Sequence, residues 1–583
     1  MVYISSYNII SSLGLSTREN IENLKKGISG IETVNDKKLS PEASPIFIVD
    51  TKKLEKEFSE ITDSKKFTRF EKLAILSVNK ALKYTKIDIF DKNTVIILSS
   101  TKGNIDLLDV NNYFENDRIY LWKSAEIIGK FFKNPNKVIT ISNACISGGL
   151  AIAVAKRILE AGQYKNAVVV GADIMSKFTL SGFQSFQAIG TDFCKPFDKK
   201  RDGITLGEGA GTLILTSDLQ FAGDERIIVS GASSTNDANH ISGPSRTGEE
   251  LAFAVKTAMT EADKKTSEIT YISAHGTATV YNDEMESKAV SISGLKHVPL
   301  NSIKGYIGHT LGAAGIIETI AGICSISEGF LYKTYGFSKL GTEQKVNVIN
   351  KFRKIKLKNF IKTASGFGGC NMALVFEKLQ DNLTQKTSQK ININELKIVK
   401  KVEIKNNTVL IDNNEVFTKR SEPVFSDFAK SVYREFEIKY PKYYKMDNLS
   451  KLGFLASEIL LKNTTLSEKY MPEEIAIIIS NGSSSIDTDI KYQKTISSKK
   501  HYFPSPAIFV YTLANVVVGE ICIRNKIKGE NTVFISEKYD KKFITDYVKT
   551  LFETQKAKAC IFGRLEYNIS GNYEAKFILA ERD

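Results

Sequence analysis

The sequence predicts an α/β protein of sheets layered between helices, and three observations carry that expectation. Short runs of Val, Ile and Thr alternate along the chain with longer Ala- and Leu-rich stretches at helical spacing, the pattern of βα units. Glycines close several of those stretches, as Gly27 and Gly162 do. With 583 residues of which 42% are hydrophobic, the chain fills more than one core.

Taken in order, the first thirty residues read as a strand followed by a helix around residues 18–26. Residues 66–84 read as an amphipathic helix, 94–99 as a strand, 138–141 as a buried strand and 148–160 as a helix. A strand at 167–171, a charged Asp/Gly turn at 195–202 and a strand at 212–215 follow. A helix over 248–262 then opens a second round of the same alternation, which ends in a strand over 372–377. Residues 379–390, polar and without apolar periodicity, read as a linker.

One stretch concentrates chemistry. KVITISNACISGGLAIAVAKRILEAG at residues 137–162 places Cys145 at the break between a strand and a helix. The N–H groups and positive end of that helix are expected to lower the thiol pKa, and a tight turn exposes a nucleophile there. A buried core cysteine is the competing reading. Five histidines occur: His240, His275, His297, His309 and His501. His275, in SAHGTATVYNDEMES, and His309, in NSIKGYIGHTLGAAGIIETI, are expected at strand-helix junctions, with Lys304 five residues before His309 and Glu318 nine after it. TASGFGGCN at residues 363–371 flanks Phe367 with glycines.

These motifs, with PFDKKRDGITLGEGAG at residues 196–211, resemble the β-ketoacyl-[acyl-carrier-protein] synthases, elongating condensing enzymes of the thiolase superfamily, over roughly residues 1–378. Thr205 and Cys370 depart from the usual pattern. The resemblance implies a thiolase-like αβαβα layered sandwich of two pseudo-symmetric halves, 1–240 with the nucleophile and 241–378 with the histidines. It also implies an acyltransferase (EC 2.3.1) in which Cys145 carries the acyl chain while His275 and His309 donate N–H bonds to the developing enolate of malonyl. Lys304, paired with Glu318, is expected to orient His309, and exposed surface ions are the alternative for that pair. The backbone N–H groups of Cys145 and Phe367 would meet the oxyanion, and Phe367 would gate malonyl entry.

Residues 391–583 contain echoes of the first half. Residues 445–462 match 66–83, residues 477–487 match 96–106, and SPAIFVYTLANVVVGEICIRNKI at 505–527 aligns with the cysteine stretch, putting Asn515 on Cys145. The tail therefore resembles a truncated, non-catalytic chain-length factor, a third and degenerate thiolase-like half-domain like those of aryl polyene and flexirubin pathway synthases. An unrelated α/β appendage is the competing reading.

Six scattered cysteines without CxxC spacing argue for reduced thiols and a cytoplasmic location, and no metal site is expected. The start, MVYISSYNII, has no basic region or cleavage motif, and the most apolar run, 507–523, is too short and interrupted to span a membrane, so no transmembrane segment is expected. A net charge of +14, without a nucleic-acid-binding pattern, fits a lysine-rich surface or steering of an acidic partner. The resemblance names that partner as acyl carrier protein, whose phosphopantetheine would deliver both substrates with no further cofactor. It also implies a dimer, or an internal pseudo-dimer made by the tail. The function expected is decarboxylative Claisen condensation, extending a fatty acyl, polyketide or aryl polyene chain by two carbons. Housekeeping fatty-acid elongation and a non-catalytic carrier-binding scaffold are the alternatives.

Overall fold

The computed structural model describes residues 1–37, 39–109, 113–379, 393–420, 424–497 and 502–582, so the expected linker at 379–390 lies, but for Leu379, outside the described residues, as does His501. The chain forms two compact units: residues 1–233, 243–366 and 371–386 in one, residues 234–242, 367–370 and 387–583 in the other.

The first unit holds two five-stranded arrangements. Strands β1 (Tyr3–Ile10), β2 (Thr94–Ser99), β3 (Ile139–Ile141), β4 (Asn166–Asp173) and β5 (Gly209–Thr216) lie in the order β3-β2-β4-β5-β1. β2 runs parallel to β3 and β4, and β5 is antiparallel to β4 and β1. Strands β6 (Ile227–Asn236), β7 (Ile272–Ser273), β8 (Pro299–Asn301), β9 (Asn359–Gly366) and β10 (Cys370–Lys378) repeat it as β8-β7-β9-β10-β6. The expected strands at 94–99, 138–141, 167–171, 212–215 and 372–377 all fall within these elements.

Helices fill the layers. α1 (Arg69–Leu82) has an N-cap Thr68 whose capping box with Glu71 starts it cleanly, and it lies on β5, β1 and β4. α2 (Leu121–Phe131) packs on α1, and α3 (Ser147–Glu160) packs on β4 and β2. α4 (Glu249–Glu261) and α5 (Val280–Ile292) pair with each other, and α6 (Ala314–Glu328) lies against α3, β5 and β9. Every residue of α3 except Glu160 is buried, and α6 is buried from Ala314 to Ile326. Helices apolar on all sides belong between layers, which is why their sequences show Ala, Ile and Gly with little polar face.

The second unit carries the same strand order a third time. β11 (Lys397–Lys405), β12 (Ile475–Asn481), β13 (Asn531–Ile535), β14 (Ala559–Tyr567) and β15 (Tyr573–Glu581) lie as β13-β12-β14-β15-β11. β12 is parallel to β13 and β14, and β15 is antiparallel to β14 and β11. α7 (Asn448–Leu461) packs on β15, β11 and β14, as α1 does on its own sheet.

This topology corrects one expectation, the placing of Asn515 on Cys145. In the first half the nucleophile turn lies between β3 and α3; the corresponding turn of the tail lies between β13 and α9 (Lys541–Glu553), at residues 536–540, Ser-Glu-Lys-Tyr-Asp. Ile141 pairs with Ser99 and Ile535 with Asn481, so the two strands end in matching registers. Asn515 instead precedes α8 (Val516–Asn525), which packs on α7 as α2 packs on α1. Ala-Asn and Ala-Cys before an apolar helix with Gly at the same offset look alike locally; strand pairing, which the sequence does not display, separates them.

Candidate active site

Cys145 sits where the backbone is forced into a sharp turn. Ala144, directly before it, has φ +47°, a left-handed conformation that a non-glycine residue adopts only when its surroundings impose it. The Ser147 Oγ accepts from Asn143 N–H at 2.7 Å and donates to the Ala144 carbonyl at 2.6 Å, fixing the turn. Downstream, α3 and α6 approach almost backbone to backbone: a methyl group on Gly148 would stand 2.7 Å from the Gly312 carbonyl oxygen, and one on Gly315 2.3 Å from Gly149 N. That contact draws together the segments that precede the two helices. One carries Cys145 and the other His309.

His309 is held by the 196–211 motif, since its N–H donates to the Thr205 carbonyl at 2.8 Å and Gly207 N–H donates to its own carbonyl at 3.0 Å. Leu206, Ala278 and Leu311 belong to one apolar cluster against which Cys145 packs. The thiol, the HGT loop and the GHT loop therefore share one wall. His275 lies between β7 and α5, and its ring is 5.1 Å from that of His309, edge to face at 85°. Both are almost fully buried.

Beneath the rings is an ionic cluster. Lys304 Nζ pairs with Glu318 Oε1, donates to the His275 carbonyl at 2.6 Å and stands 3.3 Å from His275 Nδ1. The expected Lys304–Glu318 pair is thus buried, while the expected orientation of His309 by Lys304 is corrected: the contacts of Lys304 fall on His275. A second cation, Lys362, pairs with Glu318 Oε2 at 2.6 Å. Glu286 accepts from His275 N–H and Gly276 N–H, both at 2.8 Å, and from the Thr363 hydroxyl at 2.6 Å. Asp173 accepts from Gly312 N–H and the Ser100 hydroxyl, each at 2.7 Å, and ties the start of α6 to the first sheet. Sequence reasoning missed Lys362, Glu286 and Asp173. A lysine directly after Phe360 and Ile361 in the NFIKTASG strand was the legible signal, because a cation on a buried strand needs a partner.

Electrostatics sets the protonation states. Burial, then Lys304, holds His275 well below the usual histidine range, and the same two causes act on His309. Both imidazoles are neutral. The Lys304 ammonium beside Nδ1 favours the His275 tautomer that carries its proton on Nε2. Neither ring nitrogen of His309 has a hydrogen-bond partner among the described residues. Burial pushes the Cys145 thiol up to about 12, with Lys304 pulling the other way. The sequence led us to expect a lowered value from the helix end; in the resting site desolvation outweighs that dipole, and the thiol is protonated. Cys145 is nonetheless half-buried where the other five cysteines, all described, are buried.

Phe367 is found in the second unit, on the turn between β9 and β10, followed by Gly368 at φ +85° and Gly369 at φ +71°. Asn515 lies in that unit too, buried at the start of α8.

Two family models match the chain, beta-ketoacyl synthase N-terminal domain over residues 1–220 and beta-ketoacyl synthase C-terminal domain over residues 227–338. The chain belongs to the β-ketoacyl synthase family. This synthase is 26% identical over 417 residues to 3-oxoacyl-[acyl-carrier-protein] synthase 2 of Staphylococcus aureus (strain N315), covering 65% of the chain and 98% of the relative. It is 28% identical over 424 residues to a putative mitochondrial 3-oxoacyl-[acyl-carrier-protein] synthase of Schizosaccharomyces pombe, covering 65% and 99%. Among solved structures, the ketosynthase ApeO in complex with its chain length factor ApeC from Xenorhabdus doucetiae matches at TM-score 0.55 and 23% identity over 65% of this chain and 98% of that one. The PfaC keto synthase-chain length factor matches at TM-score 0.78 and 13% identity, covering all of this chain and 78% of that one. The fold of the synthase is therefore thiolase-like α/β, and the synthase is an acyltransferase.

Proposed function

We propose that this synthase condenses malonyl-acyl carrier protein with an acyl chain held on Cys145, releasing CO2 and lengthening the chain by two carbons. The observation that carries it is the pair of neutral, edge-to-face imidazoles on one wall with the most exposed of the six thiols. Cys145 sulfur attacks the thioester carbonyl of acyl-carrier protein; a new S–C bond forms, the carrier thiol leaves, and the proton of Cys145 goes with it. Malonyl-carrier protein enters next. The bond to its carboxylate breaks, CO2 departs, and the electron pair becomes an enolate whose oxygen is met by the Nε2–H of His275 and an N–H of His309. The enolate carbon attacks the Cys145 thioester, and the tetrahedral intermediate expels Cys145 sulfur. By resemblance, the N–H group of Cys145 holds that oxyanion, and Phe367 gates malonyl entry.

The tail is read as a degenerate copy of the first half, acting as a chain-length-factor-like partner within the chain or exchanged between two chains. Its matching strand order and helix placement support this, as does the absence of any thiol in residues 536–540. The ApeO–ApeC and PfaC structures each hold a ketosynthase with a chain length factor, which supports that reading of the tail; the polyketide or aryl polyene substrate follows from the resemblance of the tail alone, and the reduced thiols favour a cytoplasmic setting. The test is direct. The full chain incubated with acyl- and malonyl-carrier protein should yield a carrier-bound 3-oxoacyl product two carbons longer, seen by intact mass. Release of CO2 without that product, at saturating acyl donor, counts against condensation.

A further inference from the structure

In the second unit, the turn that carries Phe367 is held group by group. Gly368 N–H donates to the Ile241 carbonyl at 2.6 Å, Asp237 N–H donates to the Gly369 carbonyl at 2.7 Å, and Asn236 Nδ2 donates to the Gly368 carbonyl at 2.8 Å. The Phe367 carbonyl is held from the tail: Asn515 Nδ2 donates to it at 2.8 Å, and the same nitrogen lies 3.7 Å from Cys370 Sγ. The approach is close enough to demand glycine on both sides. A methyl on Gly368 would stand 2.5 Å from Asn515 Nδ2, and one on Gly519, a turn further along α8, 2.6 Å from the Gly368 carbonyl oxygen.

Asn515 is 1% exposed, and its Oδ1 is buried without a hydrogen-bond partner among the described residues. A buried amide oxygen left unmet is unfavourable, so its presence asks for a second state in which it is used. Rotating the peptide between Phe367 and Gly368 would carry the Phe367 carbonyl away from Asn515 and bring the Gly368 N–H round to it. Gly368, already at positive φ, can absorb that rotation.

We propose that Asn515 is a positioning residue of this synthase, a two-ended amide latch by which the tail holds the Phe367 turn: Nδ2 on the carbonyl in the present conformation, Oδ1 on the turned N–H in the other. This rests on the reading of Phe367 as the malonyl gate. It replaces the sequence expectation that Asn515 merely stands where a nucleophile was lost. The tail then governs when malonyl enters.

Hydrogen exchange of the full chain, resolved to peptides over residues 364–372, tests it. Asn515→Ala should speed exchange of the Gly368 and Gly369 N–H groups about five- to tenfold, the scale of one lost hydrogen bond, with exchange in β12 and β14 unmoved. It should also raise CO2 release by enzyme with unacylated Cys145 by a similar factor relative to condensation, since the gate leaks. If Asn515→Ala does not fold, the near-isosteric Asn515→Asp, which lacks the donor, carries both measurements with the same expected direction. Unchanged exchange in a folded variant overturns the latch. Faster exchange with an unchanged ratio of uncoupled to coupled CO2 release overturns it as well, leaving only a packing role. If the parent chain makes no extended product, the condensation reading fails, while the exchange result still decides whether Asn515 holds the turn.

Discussion

Replacing Lys304 by methionine isolates the element on which the two-imidazole site depends. The Lys304 side chain is fully buried and Glu318 is 2% exposed, so no water replaces the lost ammonium. Glu318 keeps Lys362 at 2.6 Å. The loss of fold stability should therefore stay below the ~3–5 kcal/mol typical when a buried ion pair loses one member. Chemistry should suffer more. Without a donor at Nδ1, His275 is free to hold its proton there, and the enolate loses the Nε2–H. Losing one such donor slows reaction about 10²-fold, equivalent to about 2.7 kcal/mol. The pH profile supplies an independent readout. Lys304 is the largest charge acting against imidazolium at His275 after burial itself. Removing it lets His275 protonate at higher pH, so the acid limb of malonyl decarboxylation should move up toward ~6.5, the ordinary histidine value. The assay is CO2 release from malonyl-carrier protein between pH 5 and 8, alongside acyl transfer to Cys145 measured by intact mass. A variant that decarboxylates at the parent rate with an unmoved acid limb refutes the assignment of Lys304 to His275.

His275→Ala and His309→Ala should each retain acyl transfer to Cys145 yet lose about 10²-fold in malonyl decarboxylation; parent-like decarboxylation in both removes the enolate role. Because burial pushes Cys145 up to about 12, its alkylation by iodoacetamide should keep rising from pH 8 to 11 with no plateau. The corresponding stability contribution is full below the ordinary thiol value of ~8.5 and lost as pH climbs toward 12, so a plateau near pH 7 contradicts the protonated resting thiol. A chain stopped at Lys378 should self-associate and give products of altered length, read by light scattering and mass spectrometry. A monomeric truncation with unchanged products reduces the tail to an appendage.

Much of this was legible in the chain. Ala-, Ile- and Gly-rich sequence around Gly148 and Gly315 announces helices that meet without side chains between them, and β-branched runs announce buried strands. Cys145, His275 and His309 could be picked out because each stands at a break in that pattern. The identity of Lys304's partner could not, because His309 is only five residues from it in sequence while His275 is 29 away, and only the parallel pairing of β7 with β8 brings His275 to it. Asn515 was misplaced for a related reason: a small residue before an apolar helix recurs wherever such helices start, and the register of β12 with β13 is a property of paired strands. The rise in the Cys145 pKa follows from walls supplied by segments far apart in the chain, Leu206, Ala278 and Leu311 among them.

The central claim is that Cys145 carries the growing chain and malonyl discharges it. Acyl-carrier protein is incubated with the full synthase, the covalent adduct is mapped by peptide mass, and the washed acyl-enzyme is then given malonyl-carrier protein. The acyl group should be found on Cys145 alone and should leave on the chase as a carrier-bound 3-oxoacyl chain, with one CO2 per chain. An adduct on Cys370 or Cys522, or one on Cys145 that malonyl-carrier protein does not discharge, would contradict the account.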